Sequence, residues 1–136
     1  MWIQANRLSL NAAKTTYMFI TNKYFPENLE LKIGDPILNR VEKQNFLGIS
    51  IDQKLTFKTH IESTCKKVSK SIGILYKFSP YVLNKILVNL YFTLIQSHCF
   101  YGINSWESAS PSNLSRIMNF QRRAVKLISG DYDENF

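Results

Sequence analysis

The chain has 136 residues, 45% of them hydrophobic, and its 17 Lys and Arg outnumber its 10 Asp and Glu to give a net charge of +7. This length suits one domain with a sizeable core, and the composition excludes a disordered protein. No run of about twenty apolar residues is present, which excludes a membrane span, and two cysteines are too few for a disulfide scaffold. We therefore expect an intracellular protein, cytoplasmic or nuclear, with two buried thiols.

The first third of the chain is predicted to be mostly β-strand after a short opening helix. Apolar and polar residues alternate over residues 16–21, which is typical of a strand. Residues 29–38 are predicted to form a hairpin, because Gly34-Asp35-Pro36 is a turn sequence. A further strand is predicted over residues 45–51.

Three amphipathic helices are predicted to follow. In the first, apolar residues recur at three- and four-residue steps from Phe57 to Tyr76. Lys66, Lys70 and Lys77 fall in a narrow stripe on roughly the opposite side of that helix. These three lysines must face either solvent or phosphate.

Two Ser-Pro pairs are predicted to begin the other helices. Ser79-Pro80 ends the first helix and begins a second that runs to Ile95, and Ser110-Pro111 begins a third that ends at Gly130. The fold class is therefore α+β, a small antiparallel sheet followed by a three-helix bundle. In the third helix the basic residues lie opposite the apolar side and include Arg116, Arg122 and Arg123.

Positive charge is concentrated in this helical part. Residues 57–130 contain ten basic side chains and only Glu62 and Glu107 as acids, a net charge of +8, before an acidic tail at residues 131–136. Such a surface is a candidate for binding a polyanion. A solvated basic surface that only keeps the protein soluble explains the charge equally well.

Several ordered segments match one family's pattern across nearly the whole chain. The opening residues fit W-x3-N-x-L-x-LN-x2-KT, which ends at Lys14-Thr15, residues 46–52 fit FLGxxxD, and residues 55–61 fit L-x-F/W-x2-HI. Later matches are Leu90-Tyr91, Leu94-Ile95, Tyr101-Gly102, Trp106 and Phe120-Gln121-Arg122-Arg123. In these segments and their order the chain resembles the reverse transcriptases of jockey-like non-LTR retrotransposons.

The resemblance implies a division of labour within a right-hand polymerase. Residues 1–55 correspond to the C-terminal part of the palm, residues 56–130 to a helical thumb, and residues 131–136 to an acidic tail. In that family two palm aspartates of a Y/FADD motif, upstream of this segment, hold the Mg²⁺ ions that drive RNA-directed DNA polymerisation. This chain has no adjacent Asp pair. We expect it to bind no cofactor itself and to be inactive alone.

The resemblance also implies roles for residues of the palm part. Lys14 corresponds to a lysine that approaches the phosphates of the incoming nucleotide, although a solvated structural lysine is the alternative. Phe46, Leu47 and Gly48 correspond to the primer grip, where a turn presses on the primer backbone and glycine permits close approach. The alternative for these three residues is a buried strand.

The thumb implied by the resemblance holds the RNA/DNA template-primer duplex through its backbone, weakly and without sequence specificity. Lys66, Lys70 and Lys77 are the first candidates for phosphate contacts. The second candidates are Arg116, Arg122 and Arg123.

Two further possibilities are a zinc site and a chain without activity of its own. His60, Cys65, His98 and Cys99 are four potential zinc ligands, but they lack the usual spacings, so we expect them to pack between helices and expect no metal site. The alternative function is an inactive structural or protein-interaction remnant of a degraded or partial open reading frame. A short sheet with few partners also predicts exposed strand edges and poor solubility.

Overall fold

The structure is a computed structural model that describes residues 5–7, 9, 11–21, 23, 29–34 and 36–130. The chain divides into two compact units, residues 1–55 and residues 56–136. The first unit contains short strands and the second is helical, so the predicted α+β class is confirmed. Most of the predicted opening helix, Asp35 of the predicted turn, and the acidic tail lie outside the described residues.

The first strand pair is parallel, which differs from the predicted antiparallel sheet. Strand β1 (Thr16–Tyr17) pairs with β2 (Asn39–Arg40), and the N–H of Val41 donates to the carbonyl of Tyr17 at 2.9 Å. The predicted strand over residues 16–21 is therefore only two residues long. Alternation alone does not make a strand where no partner backbone continues alongside.

The predicted turn within residues 29–38 is confirmed, although little pairing surrounds it. Lys32 and Ile37 form a single antiparallel bridge, and the N–H of Leu38 donates to the carbonyl of Leu31 at 2.8 Å. Gly34 has a φ of 68°, in the left-handed region that glycine adopts without strain. Leu38 is the residue of this segment that is buried.

The predicted strand over residues 45–51 is a hairpin instead. Strand β3 (Lys43–Phe46) pairs antiparallel with β4 (Ile49–Asp52), with Phe46 opposite Ile49. The two residues between them, Leu47 and Gly48, have φ values of 47° and 80°. Positive φ at both central positions is the mark of a type I′ turn, whose twist suits a two-residue hairpin.

The first predicted helix is confirmed as α1 (Lys58–Phe78), which starts after the buried Phe57. Its apolar period places one face against the rest of the helical unit, and α1 packs along the last helix of the chain. The buried residues of that face are His60, Ile61, Thr64, Cys65, Val68, Ser71 and Leu75.

The second helix starts later than predicted and changes from an α-helix to a π-helix and back. The N–H of Ser79 donates to the carbonyl of Leu75 at 2.9 Å, so Ser79 continues α1 rather than capping a new helix. Helix α2 (Asn84–Tyr91) begins after Leu83, which is extended. It continues as a π-helical segment (Phe92–Gln96) and then as α3 (Ser97–Phe100).

Trp106 closes one end of the helical core. It ends α4 (Ile103–Trp106), is 2% exposed, and donates from its indole Nε1 to the carbonyl of Tyr101 at 2.9 Å. Gly102 precedes α4 with a φ of 61°. The burial of the ring and its satisfied N–H make Trp106 an anchor of this unit.

The third predicted helix is confirmed at both ends. Helix α5 (Pro111–Ser129) starts with Ser110 before it and Pro111 in its first turn, and Gly130 follows it with a φ of 78°. Proline suits the first helical position and glycine suits the left-handed residue after the last turn. The buried face of α5 consists of Ile117, Ala124 and Leu127.

Candidate nucleic-acid interface

The three predicted lysines form a stripe on the outer side of α1. Lys66, Lys70 and Lys77 are all exposed. At about 100° per residue they lie within about 40° of one another, opposite the buried face of the helix. Eleven residues at about 1.5 Å each put Lys77 about 16 Å from Lys66 along the axis, a length that spans several phosphates of one nucleic-acid strand.

One carboxylate, Glu62, lies one helical turn before the lysine stripe (Lys66, Lys70 and Lys77), and none follows it along α1. From Ser63 to Trp106 the chain contains five lysines and no carboxylate. Within the described part of the chain, the ion pair is between Glu62 and Arg116, and none involves the stripe. Its ammonium groups are therefore available to an external anion.

The Glu62–Arg116 pair joins α1 to α5. Arg116 Nη1 lies 3.7 Å from Glu62 Oε1, and both side chains are nearly half exposed. This contact joins the second turns of the two helices, while Ser79 and Gly130, just beyond their last turns, line one hollow. The two helices therefore run in the same direction, and this edge of α5 adjoins the lysine stripe.

The structure separates the three predicted arginines. Arg123 follows Arg116 by seven residues and shares its edge of α5, whereas Arg122 points about 120° away from Arg116. Arg122 Nη1 donates to Asn119 Oδ1 at 3.4 Å, and the guanidinium of Arg123 lies 5.8 Å from the ring centroid of Phe120. Arg116 and Arg123 can extend the stripe, but Arg122 faces elsewhere.

Lys14 and the hairpin tip lie in the first unit. Lys14 ends a short 3₁₀ turn (Ala12–Lys14), where its N–H donates to the carbonyl of Asn11 at 3.1 Å while its side chain is exposed. At the hairpin tip Phe46 is 62% and Leu47 75% exposed, and Gly48 is also exposed. The alternative of a buried strand at Phe46, Leu47 and Gly48 is therefore wrong.

Leu47 combines exposure with backbone strain. Its left-handed φ costs about 1 kcal/mol relative to glycine or asparagine, because its Cβ crowds the backbone. A side chain that is 75% exposed offsets little of this cost through packing. Strain of this kind concentrates at functional sites, which makes the tip a candidate contact surface.

The residues weighed as zinc ligands are mainly buried. Burial raises the pKa of the Cys99 thiol to about 11 and also raises the pKa of Cys65, so both thiols are protonated at neutral pH. His60 lies beside Trp106, with ring centroids 5.8 Å apart, and its Nε2 has no hydrogen-bond partner. Burial, and to a lesser extent Lys67, lowers the pKa of His60.

Aromatic residues border the end of the lysine stripe, which the sequence interpretation missed. Tyr76 was assigned to the buried face of α1 but is exposed, as is Phe78. They flank Lys77 in sequence and therefore lie at about 100° on either side of it. Tyr81, in the turn after α1, is 85% exposed. The alternation of aromatic residues with a lysine was the available signal.

Comparison with known proteins gives one consistent result. The chain is 26% identical over 132 residues to the probable RNA-directed DNA polymerase from transposon BS of Drosophila melanogaster, 94% of this chain and 15% of that protein. It is 24% identical over 134 residues to the enzyme of mobile element jockey and 29% identical over 133 residues to that of the X-element, both from Drosophila melanogaster. Each of these two matches covers 95% of this chain and 14% of the relative.

The other comparisons set the limits of this result. No protein-family model matches the chain. No solved structure matches it either. None of the described helices is long and apolar enough to cross a membrane. The resemblance predicted from the sequence is nevertheless confirmed: the chain is similar, over almost all of its length, to RNA-directed DNA polymerases of jockey-like non-LTR retrotransposons.

Proposed function

We propose that the chain is a fragment of a retrotransposon RNA-directed DNA polymerase, the end of the palm and the thumb, and that the helical unit binds a template-primer duplex. The observation that carries this proposal is the lysine stripe. Its three ammonium groups lie on one exposed helix side, without a carboxylate partner among the described residues. The similarity to polymerases over almost the whole chain supports nucleic acid as the polyanion.

Lysines on a helix surface suit recognition of a duplex backbone. A polymerase must bind every sequence, so contacts to phosphates serve it better than contacts to base edges. Three to five phosphate contacts give weak binding that depends strongly on salt, because each contact releases a counterion. Arg116 and Arg123 add to the surface from the adjoining edge of α5. The partner is an RNA/DNA hybrid, bound weakly and without sequence specificity.

In this proposal the first unit contributes contacts near the primer end. The exposed tip formed by Phe46, Leu47 and Gly48 presses on the primer backbone, and the glycine allows close approach. The exposed Lys14 contacts phosphate of the incoming nucleotide, although its exposure equally suits a solvated structural lysine.

The catalytic metals of such a polymerase belong to another part of the protein. Mg²⁺ held by paired carboxylates would activate the primer hydroxyl and neutralise the leaving pyrophosphate. The residues of this chain do not fit that role, because it has no adjacent Asp pair and Asp52 Oδ1 accepts a hydrogen bond from the N–H of Lys54 at 3.1 Å. We therefore expect the chain alone not to polymerise.

The test is binding of a labelled blunt RNA/DNA hybrid across a salt series, by fluorescence anisotropy, for the chain and for K66Q/K70Q/K77Q. The logarithm of affinity should fall with the logarithm of salt concentration with a slope of about −2 to −4. The variant should bind at least roughly tenfold more weakly at low salt and lose about 2 units of slope.

A matched control distinguishes the stripe from net charge. The variant K23Q/K32Q/K54Q removes three other exposed lysines and changes the net charge equally. It should bind nearly as well as the unchanged chain. Equal weakening by both variants would contradict a specific surface, and no binding by a folded protein at low salt would favour the inactive remnant.

A further inference from the structure

The turn between α1 and α2 presents aromatic rings to solvent at the end of the lysine stripe. Tyr81 is 85% exposed, and its N–H donates to the carbonyl of Phe78 at 2.9 Å, which holds the turn against α1. Tyr76 and Phe78 lie on the last turn of α1, on either side of Lys77. Three exposed aromatic residues therefore lie within six positions of the chain, two of them directly before and after Lys77.

The charge around this turn favours a polyanion over a protein partner as its occupant. A protein-docking surface usually carries both signs at its rim, whereas residues 63–106 contain five lysines and no carboxylate. Lys77 precedes Tyr81 and Lys85 follows it. Exposed aromatic rings interleaved with lysines are the pattern that proteins use to bind single-stranded nucleic acid, because every base has a face that stacks.

We propose that Tyr81 stacks on an unpaired nucleotide beside the duplex, so that this turn is a platform for single-stranded nucleic acid. The inference rests on the proposed duplex binding and adds a second component to it. The lysine stripe holds phosphates of the duplex, and the strand that leaves the duplex at Lys77 meets the ring of Tyr81.

The experiment compares three probes: the blunt RNA/DNA hybrid, the same hybrid with an overhang of the RNA strand, and the same hybrid with an overhang of the DNA strand. A fluorescent adenine analogue in the overhang loses emission when it stacks. For the unchanged chain, one overhang should raise affinity about tenfold over the blunt hybrid and quench the analogue. The proposal would be overturned if neither overhang raises affinity above that of the blunt hybrid, even where the blunt hybrid itself binds.

Substitutions at Tyr81 separate stacking from apolar contact. Tyr81→Leu should lose most of the roughly tenfold gain and the quenching, while blunt-hybrid affinity stays the same. Tyr81→Phe should keep both, because the ring remains. Leu83→Ala removes another largely exposed side chain of the same turn and should change nothing. An overhang gain that survives in Tyr81→Leu would overturn the proposal.

The two proposals fail in different ways. Loss of the lysine stripe should weaken all three probes, and its influence should disappear at high salt. The overhang gain due to Tyr81 should persist at high salt because stacking releases no counterions. Self-association that Tyr81→Leu abolishes, without any change in nucleic-acid binding, would make the turn a protein contact and overturn the platform.

Discussion

Single residues of this chain show where backbone geometry and solvation oppose folding. Leu47 occupies a left-handed conformation that asparagine and glycine adopt far more readily. His60 keeps a ring nitrogen buried without a hydrogen bond. Each residue reduces stability for a physical reason that one substitution can remove.

We expect Leu47→Asn to stabilise the β3–β4 hairpin by about 1 kcal/mol, because asparagine tolerates the left-handed region. Hydrogen exchange of the paired amides of β3 and β4 measures this gain. Ile20→Asn, at another exposed apolar site where φ is not positive, should give no such gain. If the tip contacts the primer, Leu47→Asn should also weaken binding of the hybrid. Slower exchange in both variants would contradict the role of strain.

The pH dependence of stability should carry a contribution from His60. Its pKa is lowered in the folded state, so the unfolded chain takes up the proton first as the pH falls below about 6.5. This contribution to stability is complete above that pH and is lost as the pH falls towards the folded pKa. His60→Phe should therefore lose less stability between pH 7 and pH 5, as urea unfolding at several pH values would show. An unchanged pH dependence in this variant would contradict the argument.

At the scale of elements, the helices were predictable from sequence to the extent that local signals define them. Both α1 and α5 have a clear apolar period, and α5 has a proline at its start and a glycine after its end. These signals depend on residues within a few positions of each other. The same helical geometry predicted the lysine stripe, because residue spacing alone determines which side chains share a side.

Elements that depend on distant partners were predicted poorly. The pairing of β1 with β2 joins residues more than twenty positions apart, so the local alternation gave neither its direction nor its length. The β3–β4 hairpin was missed because leucine is unusual in a type I′ turn. The separation of Arg122 from Arg116 and Arg123 follows from residue spacing alone, whereas the edge of α5 that adjoins the lysine stripe depends on how α5 packs against α1.

At the scale of the whole molecule, exposed apolar side chains occur in both units. They include Leu47 in the first unit and Tyr81, Leu83 and Phe92 in the second. Within the described residues, β3 and β4 pair with each other and have no other partner strand. The chain spans 14–15% of the length of these relatives.

We therefore expect the isolated chain to associate as its concentration rises, because apolar surface and open strand edges favour contact between copies. Sedimentation velocity over a concentration series should show a sedimentation coefficient that increases. Added RNA/DNA hybrid should reduce the association if the same turn serves both contacts. A chain that stays monomeric throughout and unfolds in one sharp transition would contradict this prediction.

The π-helical segment between α2 and α3 has a consequence for how the gene can change. Leu87 and Cys99 are both buried although twelve positions separate them, a spacing that turns a regular α-helix by about 120°. The wide turn at Phe92–Gln96 takes up one residue, so the remaining eleven positions bring both side chains within about 20° of the same side. Loss of one codon from this segment would leave a regular helix with its buried face intact. In an alignment of homologous elements, we therefore expect some sequences to lack one residue in this segment. We expect none to lack one residue within α1.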